Sequence, residues 1–410
     1  MKFEDSNFEP VIKKNLVAAG FTRPTDIQFR AIPPVLRGED VLAIAQTGTG
    51  KTAAFVIPIL NILLRNKRHE GGIRCLVMVP TRELARQITS VFNTLGKGCG
   101  IKTLSVFGGV EQEPQIERLN QGIDILVATP GRMFDLASQG YLSVDKVQIL
   151  VLDEADHMLD LGFINDIRQL VTKLPDRRQT LFFSATINPE IKKLAYSLVK
   201  NAIRIQISPK DPVSRNVDHS VAFIGMDDKR FFLERMINDH PESKILVFVR
   251  TKVRAERVCA ALERVGIQSR VMHGDVEQKK RFATLSQFRE GLFKVLIATD
   301  VTARGIDIPD VEYVVNYDLP EKAENYVHRV GRTGRGNRRG TAVSFCSNEE
   351  KPLLDAIEAF MEKEIQVLNI GRQDYEAIVD LAVESPKDWR SLIEQAEKDE
   401  EKHRKGKRKK

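Results

Sequence analysis

AQTGTGKT, Ala45–Thr52, follows the apolar run Val41–Ile44 and leads into a helix-like segment that begins near Lys51. A strand, a glycine turn and a helix in that order point several backbone N–H groups at one spot and add the positive end of a helix dipole, which is how a chain holds phosphate. Gly48 and Gly50 let the backbone approach closely, and Ala45, Gln46, Thr47 and Thr49 complete the turn. Lys51 would meet the outer phosphates and Thr52 a magnesium ion. The general phosphate-loop pattern begins with Gly, where this chain has Ala45. The alternative is a Gly-rich turn followed by a lysine that heads the next helix.

Beyond the cradle, short apolar runs alternate with helix-like stretches: Cys75–Pro80, Thr103–Phe107, Asp124–Thr129, Val147–Glu154 and Gln179–Thr186. Strands apolar on both faces belong to a parallel sheet covered by helices, so the fold class is α/β. Functional residues of such sheets collect at the carboxyl ends of the strands. Thr81 and Arg82, Thr129 to Arg132, Asp153 and Glu154, and Ser184 to Thr186 all fall there. Ile207 to Ser220, with two prolines and several charges, reads as a linker. A second array follows in Lys244–Thr251, Ser269–Gly274, Lys294–Asp300, Val311–Asp318 and Thr341–Cys346, without a phosphate cradle. Two α/β domains with one cradle suggest a site completed across a cleft. The expected limits are 1–207 for the first domain, 208–218 for the linker, 219–365 for the second domain and 366–410 for a polar extension and basic tail.

Before the cradle, Val11, Leu16 and Val17 give a helical pattern ending at Gly20, and Pro24 makes GFTRPTDIQ a turn that sets Gln28 at the start of another helix. A Gln amide matches the N6 and N7 edge of adenine, and the upstream aromatic Phe3 could pack on the base. Gln28 taken singly reads first as a helix-surface amide.

Composition bounds the rest. A chain of 410 residues exceeds one ordinary core. No run of about 18 apolar residues is present and MKFEDSNFEP lacks the apolar stretch of a secretory signal, so a cytoplasmic protein without membrane association is expected. Cys75, Cys99, Cys259 and Cys346 are too dispersed for a metal-ligand pattern. The net charge is +7, but Lys398–Lys410 alone carries eight Lys or Arg against three acids, so the basic character belongs mostly to the tail. EKHRKGKRKK, dense in charge and free of large apolar side chains, is expected to be disordered.

Two further stretches carry chemistry. In VLDEAD, Val151–Asp156, Asp153 suits a divalent ion on the outer phosphates and Glu154 suits the attacking water; the bland alternative is a solvated turn or helix N-cap. HRVGRTGR, His328–Arg335, holds three arginines suited to phosphate oxygens, or else forms a basic loop.

Together GFTRPTDIQ, AQTGTGKT, PTRELA, the pair Gly108–Gly109, TPGR, DEAD, SAT, ATDVTARGID and HRVGRTGR occur in the order found in the DEAD-box RNA helicases, which the chain resembles over roughly its first 350 residues. The short basic tail is reminiscent of the bacterial RhlE-like branch. Val330 stands where isoleucine is common, and QxxR appears as Gln278 to Arg281.

The resemblance implies two tandem RecA-like domains and an ATP-dependent RNA helicase using ATP and Mg2+. Phe3 and Gln28 would recognise adenine, Lys51 and Thr52 would hold phosphate and magnesium, Asp153 would hold the magnesium shell and Glu154 would activate water. Asp307 would touch the ribose, and Arg332 and Arg335 would reach the γ-phosphate from the second domain. Ser184 and Thr186 would couple the cleft to Asp156 and His328. Single-stranded or duplex RNA would be held without sequence preference by Arg82, Gly109, Thr129, Arg132, Arg250, Gly274, Arg281 and Thr299, because backbone and hydroxyl contacts carry no base code. Two rivals remain at this point: an RNA-binding clamp that hydrolyses slowly, and a DNA helicase of the wider superfamily, which Gln28 and the DEAD and SAT forms disfavour.

Overall fold

The computed structural model describes residues 2–46, 48–66, 71–207, 213, 216–300, 311–334 and 339–383, with side chains as far as 379. Thr47, Asp307, Arg335 and the basic tail, with Trp389, therefore lie outside the described residues.

Among the described residues, fourteen strands build two sheets. The first holds β1 (Val41–Ala45), β2 (Cys75–Met78), β3 (Thr103–Val106), β4 (Ile125–Ala128), β5 (Ile149–Leu152), β6 (Gln179–Ser184) and β7 (Ile203–Ile207) in the order β3-β4-β2-β5-β6-β1-β7. The second holds β8 (Val217–Phe223), β9 (Ile245–Phe248), β10 (Ser269–Met272), β11 (Val295–Ala298), β12 (Tyr313–Asn316), β13 (Gly340–Cys346) and β14 (Gln366–Val367) in the order β10-β11-β9-β12-β13-β8-β14. Every pairing is parallel. Counted from their own first strands, both sheets follow one and the same order: third, fourth, second, fifth, sixth, first, seventh. This is the tandem RecA-like arrangement.

The interior strands β1, β2, β4, β5 and β6 are buried along their whole length, as continuous apolar runs demand of a sheet covered on both faces. One core lies on each face of each sheet. The edge strand β7, IRIQI, alternates and buries Ile205 while leaving Ile203 exposed. It escapes a search for unbroken apolar runs for that reason.

Three details differ from the sequence reading. Strand β8 begins at Val217, inside the stretch read as linker, because seven residues through Phe223 pair with Gly340–Cys346. Beyond residue 365, β14 pairs with β8, and the helix Arg372–Val383 packs on the helix Lys229–Asp239, with Tyr375 against Phe232 at 4.8 Å. In the helix Pro10–Ala18 the buried pair is Ile12 and Leu16, four apart, whereas Val17 is exposed.

Candidate nucleotide and RNA site

Strand order sorts the motifs into two groups. Neighbouring strands β5, β6 and β1 end in Asp153–Glu154, Ser184–Thr186 and the cradle, so the phosphate chemistry gathers on one side. Strands β3, β4 and β2 end in Gly109, Thr129–Arg132 and Arg82, on the other side. In the second sheet the equivalent strands β10, β11 and β9 end in Gly274, Thr299 and Arg250. The eight expected RNA contacts thus occupy matching places in both halves, apart from Arg281, which comes from the helix Gln278–Glu290.

The cradle is tied back through its carbonyls. Lys51 Nζ donates to Ala45 O at 2.8 Å, Thr49 Oγ1 to Gln46 O at 2.7 Å, Thr25 Oγ1 to Thr49 O at 2.8 Å and Gln28 Nε2 to Gly50 O at 3.1 Å. Anchoring the carbonyls orients the peptide planes of the loop. Gly50, at φ 93°, could not be replaced cheaply, because a Cβ there would lie 2.5 Å from Gln28 Nε2. Lys51 opens the helix Lys51–Arg65, and Thr52 follows it within the first turn.

Gln28 is buried at the third position of the helix Asp26–Leu36, so it is not a surface amide. Its Oε1 accepts from Thr25 N at 3.0 Å, which is one half of a capping box. Phe3 departs from expectation: the ring is 3% exposed and packs on Phe8 at 6.5 Å and edge-on against Phe21 at 6.0 Å, so its face is spent within the core. Half-buried Phe21, in the same GFTRPTDIQ stretch, is the more accessible aromatic.

At the end of β5, Glu154 adopts left-handed backbone at φ 52°, ψ 49°, a conformation that costs a non-glycine residue about 1–2 kcal/mol and turns its side chain away from the strand direction. Asp153 Oδ1 accepts from Glu154 N at 3.0 Å. Burial pushes the Asp153 carboxyl up to about 7, with Glu154 and Asp156 adding to the rise and Lys51 opposing it. Burial also acts to raise Glu154, but His157, then Arg332 and Lys51, outweigh it and hold this carboxyl at about 2. His157 Nδ1 lies 3.6 Å from Glu154 Oε2. Glu154 is therefore ionised at neutral pH, an acceptor fit to orient water, and Arg332 from the second half helps to keep it so.

The Asp153 and Glu154 carboxyls and the Thr52 hydroxyl offer hard oxygens that suit Mg2+, and Lys51 beside them suits phosphate. Among the described residues no group of three or more His, Cys, Asp or Glu forms a metal cage. An ion here would draw most of its ligands from phosphate and water, as Mg2+ does in nucleotide sites.

Asp156 is the hinge point between DEAD and SAT. Its Oδ2 accepts from Ala185 N at 3.0 Å, Thr186 N at 2.9 Å and Thr186 Oγ1 at 3.1 Å, and its Oδ1 accepts from His157 N at 3.1 Å. Ser184 Oγ donates to Thr186 O at 2.8 Å. His328 O accepts from Arg332 Nε at 3.0 Å, which orients Arg332 on the loop after the helix Ala323–Val330.

The two halves touch through named side chains. Arg82 Nη1 donates to Gln278 Oε1 at 3.0 Å, Gln278 Nε2 to Glu83 Oε1 at 2.8 Å, and Arg281 Nη2 pairs with Glu83 Oε1 at 2.8 Å. Lys322 Nζ reaches Asp160 Oδ1 at 2.7 Å. Two of the expected RNA arginines, Arg82 and Arg281, thus have partners in the opposite half, which no local sequence pattern signals. Arg132 Nη2 donates to Val110 O at 2.9 Å, and Arg250 Nη2 bonds Glu350 Oε1 at 2.9 Å. Thr129 and Thr299 are buried at their strand ends, and Gly274 has open space at its Cα.

Residues 25–194 match the DEAD/DEAH box helicase model and residues 228–337 the helicase conserved C-terminal domain model. A protein of Shewanella oneidensis named ATP-dependent RNA helicase RhlB is 41% identical over 377 residues, covering 90% of this chain and 86% of that one.

The chain belongs to the DEAD/DEAH box helicase family.

A Xanthomonas oryzae protein of the same name is 42% identical over 89% of this chain and 65% of its own length. Among solved structures, S. cerevisiae Dbp5 bound to RNA and ADP BeF3 matches with a TM-score of 0.80 at 30% identity, over 94% of this chain and 99% of that one. DEAD-box helicase Mss116 bound to ssRNA and UDP-BeF matches with a TM-score of 0.83 at 27% identity, over 92% and 81%. The bacterial relatives carry the RhlB name; the RhlE-like likeness rests on a tail outside the described residues. No described helix is long and apolar enough to cross a membrane.

Proposed function

We propose that the chain is an RNA-dependent ATPase and RNA helicase whose two halves, near 1–207 and 219–365, close around ATP and RNA and open a short duplex or remodel a ribonucleoprotein. The observation that carries the reading is the contact between the halves, Arg82 with Gln278 and Arg281 with Glu83, with Arg332 of the second half near enough to Glu154, beside Lys51, to help lower its pKa. A water-orienting carboxylate influenced by an arginine of the other half makes hydrolysis depend on closure. The matched strand ends in both sheets supply a path for RNA that requires the same closure, so RNA and ATP reinforce each other's binding.

In this reading Gln28 takes the adenine edge and Phe21 lies beside it, while Phe3 braces the pair from the core. Residues 45–50 and Lys51 hold the phosphates. Thr52 and Asp153 hold Mg2+, which supplies charge neutralisation of the outer phosphates when bound. Glu154 orients water, Asp307 meets the ribose, and Arg332 and Arg335 meet the γ-phosphate. Asp156, Ser184, Thr186 and His328 transmit closure. RNA is gripped by Arg82, Gly109, Thr129, Arg132, Arg250, Gly274, Arg281 and Thr299 without sequence preference. The cytoplasm is the proposed location.

Steady-state ATP hydrolysis without polymer, with RNA and with DNA tests this reading. Stimulation by RNA alone is expected, and equal rates in all three conditions would refute it. Glu154→Gln is expected to keep ATP-dependent RNA binding while losing turnover; full turnover in that variant would remove Glu154 from its role.

A further inference from the structure

Phe282 stands apart from the polar contacts between the halves. It lies on the helix Gln278–Glu290 of the second half, yet it packs against the core of the first. Its ring meets Phe107 edge-on, with centroids 5.9 Å apart and planes at 72°, and the Arg86 guanidinium lies 4.0 Å from its centroid. An aromatic between an aromatic edge and a guanidinium satisfies both ring quadrupole preferences at once. The receiving surface is built in advance: Phe107 N donates to Gln115 Oε1 at 3.1 Å, and Gln115 Nε2 donates to Glu111 O at 3.0 Å and to Phe107 O at 3.4 Å. Gln278 and Phe282, four apart on one helix face, deliver a polar and an apolar contact together. None of Phe282, Phe107, Arg86 or Gln115 has a part in the nucleotide or RNA sites described above.

We propose that Phe282 is a positioning residue, whose seating on the Arg86–Phe107 platform sets how readily the two halves close and hence how much RNA is needed to drive ATP hydrolysis. This rests on the helicase reading.

The test is ATP hydrolysis against RNA concentration for the full chain and for Phe282→Ala, Phe282→Tyr, Arg86→Ala and the Arg86→Ala/Phe282→Ala pair. Loss of the ring should raise the half-saturating RNA concentration by about 5- to 30-fold and leave the rate at saturating RNA within about 2-fold. Phe282→Tyr, which keeps the ring, should restore the affinity. The two alanine changes should be non-additive, because each removes the same cation–ring contact. Unchanged half-saturation in Phe282→Ala, or additivity in the pair, would overturn the proposal. Small-angle scattering with AMP-PNP and a single-stranded RNA should show a less compact Phe282→Ala, and identical compaction would also overturn it. If the wild type itself shows no stimulation by RNA, the helicase reading fails, and scattering without nucleotide or RNA still decides whether the platform draws the halves together.

Discussion

Asp156→Asn isolates the link between DEAD and SAT. The aspartate gives four acceptor contacts from two oxygens: Ala185 N, Thr186 N and Thr186 Oγ1 on one, His157 N on the other. An asparagine has one oxygen. Facing it toward Thr186 sets its NH2 against the His157 N–H and leaves a buried donor unpaired, at about 1–3 kcal/mol. The three remaining bonds lose their charge assistance and weaken toward neutral strength. A net loss of about 2–4 kcal/mol follows, which for a unit of this size lowers the melting temperature by about 5–15 °C. Thr186→Val, which removes one hydroxyl donor, sets an internal scale at about 1 kcal/mol. Calorimetry of the full chain reads both, and RNA-stimulated ATP hydrolysis should fall further than stability alone explains, because the SAT segment loses its tie to DEAD. An Asp156→Asn variant that melts within about 1 °C of wild type would refute this account of the hub.

Gln28→Ala removes the amide that joins Thr25 N to Gly50 O; the loss of about 1–2 kcal/mol should appear as weaker ATP binding and poorer discrimination against other nucleotides in a competition assay. Gly109→Ala, at φ 74° with a Cβ that would lie 2.0 Å from Arg82 Nη1, should displace Arg82 from Gln278 and weaken RNA binding by about 5-fold or more in a filter assay, with ATP affinity retained. Deleting Lys402–Lys410 should lower RNA affinity and flatten its salt dependence while unstimulated ATP hydrolysis stays intact; an unchanged salt slope would assign the tail to solubility alone.

What was legible in the sequence follows from what each signal encodes. Interior parallel strands are written as continuous apolar runs, so β2, β4, β5, β6 and their counterparts stood out, and the cradle announced β1. The edge strands β7 and β14, and β8 beside β14, carry alternating or mixed patterns because they are partly exposed, so a search for unbroken apolar runs passes over β7 and β14 and reads the start of β8 as linker. The motifs name the candidate site residues, but not their partners. Nothing local in Phe3 says that its face is spent on Phe8 and Phe21, and nothing in Gln278 or Glu83 says that they meet across the halves. Such contacts join residues far apart in sequence and depend on how two finished domains approach.

The shared strand order raises the question of why only one half carries a phosphate cradle. Both first strands lead into a helix that opens on a lysine, Lys51 after β1 and Lys229 after β8. Between strand and lysine the first half has QTGTG and the second has IGMDD. Asp227 and Asp228 put negative charge at the helix N-terminus where a phosphate would sit, and Tyr375 fills the same corner by donating to Asp228 Oδ2 at 2.7 Å and accepting from Gly225 N at 2.9 Å. Lys229 is fully buried and turns inward, donating to Tyr317 O at 2.7 Å and pairing with Glu350. Burial lowers its pKa while Glu350 and Asp318 act to keep it charged, so its charge is consumed inside the domain. Glu350 in turn holds Arg250, one of the residues proposed to grip RNA. The lysine proposed to serve phosphate in one half thus has its counterpart on the proposed RNA side in the other, and the second half is proposed to act on the nucleotide site through Arg332 and Arg335. Closure is required for this division of labour, because neither half alone carries both the cradle and the arginines.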